Sequence, residues 1–152
     1  MFFFLLVFLI AGCATTNIPT MTPLEIQSMQ TREYAESADV VFPSVISVFQ
    51  DLGYTIKSAD KNTGIITAES ASKSDKASKF WLGITKVSHN NATAFVERIK
   101  DKTSVRLSFV MSNKQSSWYG QTDQDDQQIL DAAVYNNAFE KIANAIFVRT
   151  SK

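Results

Sequence analysis

Apolar and polar residues alternate along residues 103–111, except at Val110. Every second position carries a large apolar side chain: Val105, Leu107, Phe109 and Met111. The positions between them are polar: Ser104, Arg106 and Ser108. A period of two is typical of a β-strand with one buried face and one solvated face. Residues 94–101 form a second β-rich run before it, so the sequence predicts a hairpin that turns at Asp101-Lys102.

Residues 37–53 show the periodicity of an α-helix instead of this alternation. The apolar positions recur at helical spacing, with Phe42 and Phe49 beside them: Val41, Val45, Val48 and Leu52. They form one face of an α-helix, which Ser37 is predicted to cap and Gly53 to end in a left-handed conformation. Pro43 leaves two alternatives open, because proline cannot donate a backbone hydrogen bond. The helix either kinks at Pro43 or begins near Phe42 with the proline in its first turn.

A second helix is predicted from about Asp131 to Val148. Four large apolar residues make a single stripe along it, with Ala138, Ala143 and Phe147 beside the stripe: Tyr135, Phe139, Ile142 and Ile146. Such a stripe is typical of a helix that packs one face on a core.

The remaining segments give shorter signals. Residues 31–35 are predicted as a first strand, and residues 54–70 as a hairpin around a turn at 60–64. Residues 71–93 are predicted as a loop with a short helix or strand, and the polar residues 113–128 as a loop. One-faced helices and a one-faced sheet bury their apolar sides by packing on each other. The sequence therefore predicts an α+β fold of two layers, with an antiparallel sheet of four to five strands and two helices packed on one face.

The N-terminus carries an apolar run at residues 2–10, FFFLLVFLI. A membrane-spanning helix needs about twenty apolar residues, whereas this run has the length of a signal-peptide core. Ile10-Ala11-Gly12-Cys13 follows it and resembles the lipobox of bacterial lipoproteins. The resemblance implies a signal peptide at 1–12, a lipid on Cys13, a flexible tether at 13–30 and one periplasmic domain at 31–152. A buried free thiol is the alternative for Cys13.

The balance of charges argues against a nucleic-acid-binding protein. The chain has fifteen Lys and Arg residues, fifteen Asp and Glu residues and a formal net charge of zero. Nucleic-acid-binding proteins normally carry a basic face of clustered Lys and Arg. We therefore expect no nucleic-acid partner.

The sequence contains no recognisable catalytic or metal-binding motif. His89 is the only histidine and lies in a polar stretch, so it is predicted to be a solvent-exposed loop residue. Asp123-Gln124-Asp125-Asp126 starts like a calcium loop but lacks the required glycine and has Val134 where an EF-hand needs glutamate. We expect no enzymatic activity, no cofactor and no metal site.

Two pairs of aromatic residues interrupt polar segments: Phe80-Trp81 and Trp118-Tyr119. Large rings in such segments either fold back over the core or contact a partner, and both alternatives stay open. A hydrophobic groove between helix and sheet, rimmed by these rings, would suit a lipid, a peptide or another protein.

Beyond the leader, the run "VVFPSVISVFQDLGYTIKSADKNTGIITA" and the ending "YNNAFEKIANAIF" resemble a family of small bacterial lipoproteins of unknown function. Similar helix-on-sheet domains occur in the C lipoprotein of the β-barrel assembly machinery. The resemblance implies a lipid-anchored envelope protein whose domain is an interaction or accessory module in envelope assembly or transport. The alternative is a carrier of a lipid or other apolar small molecule. Ala14 after the cysteine resembles an outer-membrane sorting pattern, with the inner membrane and the cell surface as alternatives.

Overall fold

A computed structural model describes residues 21–74, 84–117 and 119–151 of the chain. Three helices are present in these residues: α1 Pro23–Gln30, α2 Ala38–Asp51 and α3 Ala132–Thr150. Seven strands form one sheet: β1 Thr31–Tyr34, β2 Tyr54–Asp60, β3 Ile65–Ser70, β4 Lys73–Ser74, β5 Ile84–Ile99, β6 Lys102–Ser117 and β7 Thr122–Gln128.

The sheet is antiparallel at every pairing. Its main path runs β1-β6-β5-β3-β2, while β4 pairs with β5 and β7 pairs with β6. The predicted α+β architecture is confirmed. The main path has the predicted number of strands, and β4 and β7 extend it.

The core lies between one face of the sheet and helices α2 and α3. The predicted helical stripes and the alternating residues of β6 meet there, and Val41, Val45, Leu107, Tyr135 and Ile142 have no exposed surface. The ring of Phe109 is central, with its centroid 6.3 Å from that of Phe49 and 5.2 Å from that of Tyr135. On α3, however, Ala143 and Phe147 are exposed, so they lie outside the buried stripe.

Helix α1 contradicts the prediction of a flexible tether for residues 23–30. Thr22 caps this helix: its hydroxyl oxygen accepts a hydrogen bond from the Glu25 N–H, while Glu25 accepts one from the Thr22 N–H. Pro23 in the first turn favours the same start, because its missing N–H would be unpaired there in any case. Met29 and Gln30 are buried at the end of the helix. Residues 13–20 of the predicted tether lie outside the described residues.

Pro43 lies inside α2, since the helix begins at Ala38. The alternative that starts the helix near Phe42 is therefore wrong. The predicted helix end at Gly53 and the predicted turn at 60–64 are confirmed. Both glycines have a positive φ, which is 85° at Gly53 and 74° at Gly64. At Gly64 a Cβ would overlap the backbone oxygen of Val96, so the turn between β2 and β3 requires glycine.

The hairpin of β5 and β6 is much longer than the sequence predicts. Both strands have 16 residues, and the chain turns at Lys100 and Asp101. The predicted loop at 113–128 is wrong, because β6 continues to Ser117 and β7 occupies 122–128. In the predicted loop at 71–93, residues 73–74 and 84–93 are strand and residues 75–83 lie outside the described residues.

Candidate interaction surface

The sheet extends well beyond the layer of helices. Among the side chains that the structure describes, the buried apolar residues of β5 begin at Ala92 and those of β6 end at Phe109. Past these points, residues 84–91, 110–117 and 122–128 form a ribbon, which we call the β-arm, and β4 pairs with residues 87–88 at its side. The eight residues from Val110 to Ser117 correspond to a length of about 26 Å at the usual rise of a strand.

The described side chains of the β-arm range from half-buried on β5 to exposed on β7. Among its described side chains, Ser112 alone is buried, with 2% of its surface exposed. All seven side chains of β7 are exposed. A sheet normally gains stability by burying at least one apolar face. The described side chains of the β-arm are half-buried or exposed apart from Ser112, so packing among the described residues does not account for its length.

Tyr119 lies at the tip of the β-arm, where β6 turns into β7. The turn is closed by hydrogen bonds from Ser117 N–H to Gln121 O (2.9 Å) and from Gly120 N–H to Ser117 O (3.1 Å). Gly120 has a φ of 79°. The side chain of Tyr119 is 97% exposed, so the core-covering alternative is wrong for this residue.

The predicted lipidation residue and the other three predicted contact residues lie outside the described residues. These are Cys13, Phe80, Trp81 and Trp118. Their roles in lipidation and in ligand or partner contact stay predictions.

Strand β7 is acidic and forms the free edge of the β-arm. Its sequence TDQDDQQ contains Asp123, Asp125 and Asp126. In the part of the chain that the structure describes, none of these aspartates forms a salt bridge. Asp126 accepts hydrogen bonds from Ser112 and Gln124. Both bonds lower the pKa of its carboxyl group, and the bond from Ser112 has the larger effect. Asp125 accepts a bond of 2.9 Å from Gln127.

The backbone of β7 presents unpaired hydrogen-bonding groups along this edge. The Ile129 N–H donates to Phe109 O, and Gln121 O accepts from Ser117 N–H, so odd-numbered residues of this segment bond to β6. In an antiparallel pair the residues between them direct N–H and C=O away from the partner strand. The outward groups are therefore those at residues 122, 124, 126 and 128. No strand of the described residues pairs with that side of β7.

A polar cluster around His89 lies at the base of the β-arm. His89 is on β5, and its Nε2 is 3.6 Å from Glu69 Oε1 with 23% of the side chain exposed. The prediction of an exposed loop histidine is therefore wrong. Lys57 Nζ lies 2.9 Å from Glu69 Oε2 and is the main cause of the lowered pKa of the Glu69 carboxyl group.

Ser112 is the cross-strand neighbour of His89 in this cluster. Serine, histidine and carboxylates in one place raise the question of nucleophilic catalysis. The Ser112 hydroxyl, however, accepts a hydrogen bond from Asn91 Nδ2 at 3.1 Å and bonds to Asp126, and it is buried. A substrate cannot reach it in this arrangement. The cluster links five neighbouring strands, from β2 through β3, β5 and β6 to β7. The described residues contain no group of three or more potential metal ligands.

A groove with a volume of about 810 Å³ lies between α2 and α3. Its walls carry charges of both signs, including Asp39, Asp51, Lys141 and Arg149. Arg149 Nη2 donates to Ser47 Oγ at 2.7 Å and so ties the two helices together. The groove predicted between helix and sheet is absent from the described residues, because core side chains fill that space.

The comparisons with known proteins assign no family. No protein-family model matches the chain, and the search of curated proteins finds no match. Within residues 21–74, 84–117 and 119–151, no helix is both long enough and apolar enough to cross a membrane.

Proposed function

We propose that this chain is a non-enzymatic lipoprotein of the bacterial envelope whose domain binds a protein partner in envelope assembly or transport. A lipid on Cys13 anchors it, and Ile10-Ala11-Gly12-Cys13 directly after an apolar run supports this anchor. Ala14 supports an outer-membrane location with the domain in the periplasm. The inner membrane and the cell surface are the alternatives for the test to separate.

The single observation that carries the interaction role is the β-arm. It projects beyond the core, exposes all seven side chains of β7 and ends at Tyr119, which is 97% exposed. Tyrosine is enriched in interfaces, because its ring supplies apolar contact area and its hydroxyl a hydrogen bond. A ribbon of this kind gains its missing contacts when a second molecule packs on it.

The neutral net charge fits a polypeptide partner better than a nucleic acid. The carrier alternative finds no specific support. Its predicted cavity would lie between the helices and the sheet, where Val41, Val45, Leu107 and Ile142 are fully buried. A hydrolase would need an accessible nucleophile beside His89, but its cross-strand neighbour Ser112 is buried and bonded to Asn91 and Asp126.

Photo-crosslinking in intact cells tests this function. A photoreactive residue replaces Tyr119, and a matched control carries it at Asp101, an exposed turn residue at the opposite end of the β5–β6 hairpin. We expect a discrete protein adduct from position 119 and none from position 101. If position 119 gives no protein adduct, the proposed function is wrong.

A further inference from the structure

We infer that the free edge of β7 is a docking site for an extended, basic segment of a partner protein, which adds to the sheet as a further strand. This inference rests on the proposed function and specifies the chemistry of the partner. It follows from three properties of the edge: its unpaired backbone groups, its regular pairing with β6 and its negative charge.

The outward N–H and C=O groups of Thr122, Gln124, Asp126 and Gln128 are a template for strand addition. They lie on consecutive alternate residues, and β7 pairs with β6 without a register shift from Thr122 to Gln128. An added antiparallel strand could form hydrogen bonds at all four positions.

Strand β7 lacks the lysine, the bulge and the short length that protect the β1 and β2 edges, and its aspartates disfavour only acidic strands. At the β2 edge the register shifts between Ile56 and Ser58, and Lys57 lies within that irregularity. The β1 edge is only four residues long. Bulges, edge lysines and short strands are common ways to prevent strand addition. Strand β7 contains no lysine, proline or bulge over its seven residues.

The negative charge of this edge favours a basic partner strand. Asp123 and Asp125 lie on the same face of the sheet, and an antiparallel partner would pair with them at non-hydrogen-bonded positions, where Cα atoms approach to about 4.5 Å. Like charges directly opposite each other destabilise such pairs, so a second copy of β7 is disfavoured. Lysine or arginine at two alternate positions of the partner strand would instead face the two carboxylates.

A peptide-binding assay with the purified full-length chain in detergent micelles tests this assignment. The probe is a fluorescent synthetic peptide of alternating threonine and lysine, and the control peptide carries glutamate in place of lysine. Fluorescence anisotropy gives the affinity, and hydrogen–deuterium exchange locates the bound peptide. We expect the lysine peptide alone to bind and to slow exchange in residues 122–128.

Two variants separate strand addition from general attraction of opposite charges. Replacing both Asp123→Asn and Asp125→Asn should weaken binding roughly tenfold, as expected for the loss of two cross-strand ion pairs. The control variant with Asp51→Asn and Asp101→Asn makes the same change in net charge and should bind within about twofold. Gln124→Pro removes one outward N–H and no bond to β6, so it should abolish binding while the unfolding temperature stays unchanged.

The inference is overturned if the lysine peptide does not bind, if it binds both double variants equally, or if Gln124→Pro binds normally. Each of these results leaves the proposed function intact as long as position 119 still crosslinks to a protein in cells. If that crosslink is absent, the proposed function itself is wrong, whatever the peptide does.

Discussion

The ring of Tyr135 packs 5.2 Å from the ring of Phe109, and its hydroxyl oxygen also accepts a hydrogen bond of 3.3 Å from the Phe109 backbone N–H. The same hydroxyl donates to Ile129 O at 3.0 Å and accepts a bond of 3.3 Å from Gln30 Nε2. A hydroxyl has one donor and two acceptor positions, and Tyr135 uses all three. This residue joins α1, α3 and the sheet at the point where the core ends and the β-arm begins.

Tyr135→Phe should destabilise the domain without changing its packing volume. It leaves three groups without their partner, and an unpaired buried polar group costs about 1–3 kcal/mol. We expect the free energy of unfolding to fall by at least about 2 kcal/mol in urea denaturation. Tyr119→Phe is the matched control and should leave stability unchanged, because that side chain is exposed. Equal stability of the two variants would show that the hydrogen bonds of Tyr135 do not stabilise the domain.

The two glycines with positive φ near the β2–β3 hairpin should differ in their tolerance of a side chain. Alanine in the left-handed region costs about 1–2 kcal/mol at either position. At Gly64 the added Cβ would also overlap the Val96 oxygen, whereas at Gly53 it would meet open space. Thermal unfolding should therefore show a larger loss for Gly64→Ala than for Gly53→Ala. The reverse order would contradict the described turn.

Stability should decrease at alkaline pH through Tyr34. Burial is the main cause that raises the pKa of its phenol from 10.0 to about 12. The folded state therefore favours the neutral phenol, and this contribution is complete below pH 10 and lost as the pH rises to about 12. Tyr34→Phe removes it, so the loss of stability from pH 9 to pH 12 in urea titrations should be smaller than in the wild type. An unchanged pH dependence would disprove this role for Tyr34.

Replacement of the predicted acceptor cysteine tests the anchor. Cys13→Ser removes the thiol that would carry the lipid, and each buried CH₂ of such a chain contributes about 0.8 kcal/mol to membrane binding. We expect the variant to leave the membrane fraction or to retain its leader, as measured by fractionation and intact mass. Thr16→Ser is the control and should behave as the wild type. A Cys13→Ser protein that stays membrane-bound with a leader-free mass would disprove the lipoprotein assignment.

The sequence predicts the part of the fold that buries one face. Val105, Leu107 and Phe109 alternate with polar residues because the helices cover only one side of β6. The apolar stripe that contains Tyr135 and Ile142 predicts α3 for the same reason. In these elements the hydrophobic pattern is a direct record of the core.

The sequence of the β-arm shows no such hydrophobic pattern. Strand β7 is exposed on both faces, so its sequence TDQDDQQ shows no alternation of apolar and polar residues and resembles a loop. Strand β7 depends on backbone pairing with β6, which residue type does not reveal. Helix α1 was missed because it buries only Met29 and Gln30, although Thr22 and Glu25 form a capping pattern that could have indicated its start. Tyr119 was found as an aromatic residue in a polar segment, whereas the free edge of β7 required the structure.

Hydrogen–deuterium exchange of the β-arm in native membranes tests the central claim most directly, because it needs no substitution. Exchange of residues 110–128 is compared between the full-length chain purified in micelles and the same chain in isolated membranes that retain its partners. If the β-arm is a contact surface, its amides exchange more slowly in the membranes, while those of the α2 core at 41–49 exchange at the same rate in both samples. Equal exchange of residues 110–128 in the two samples would contradict the interaction role of the β-arm.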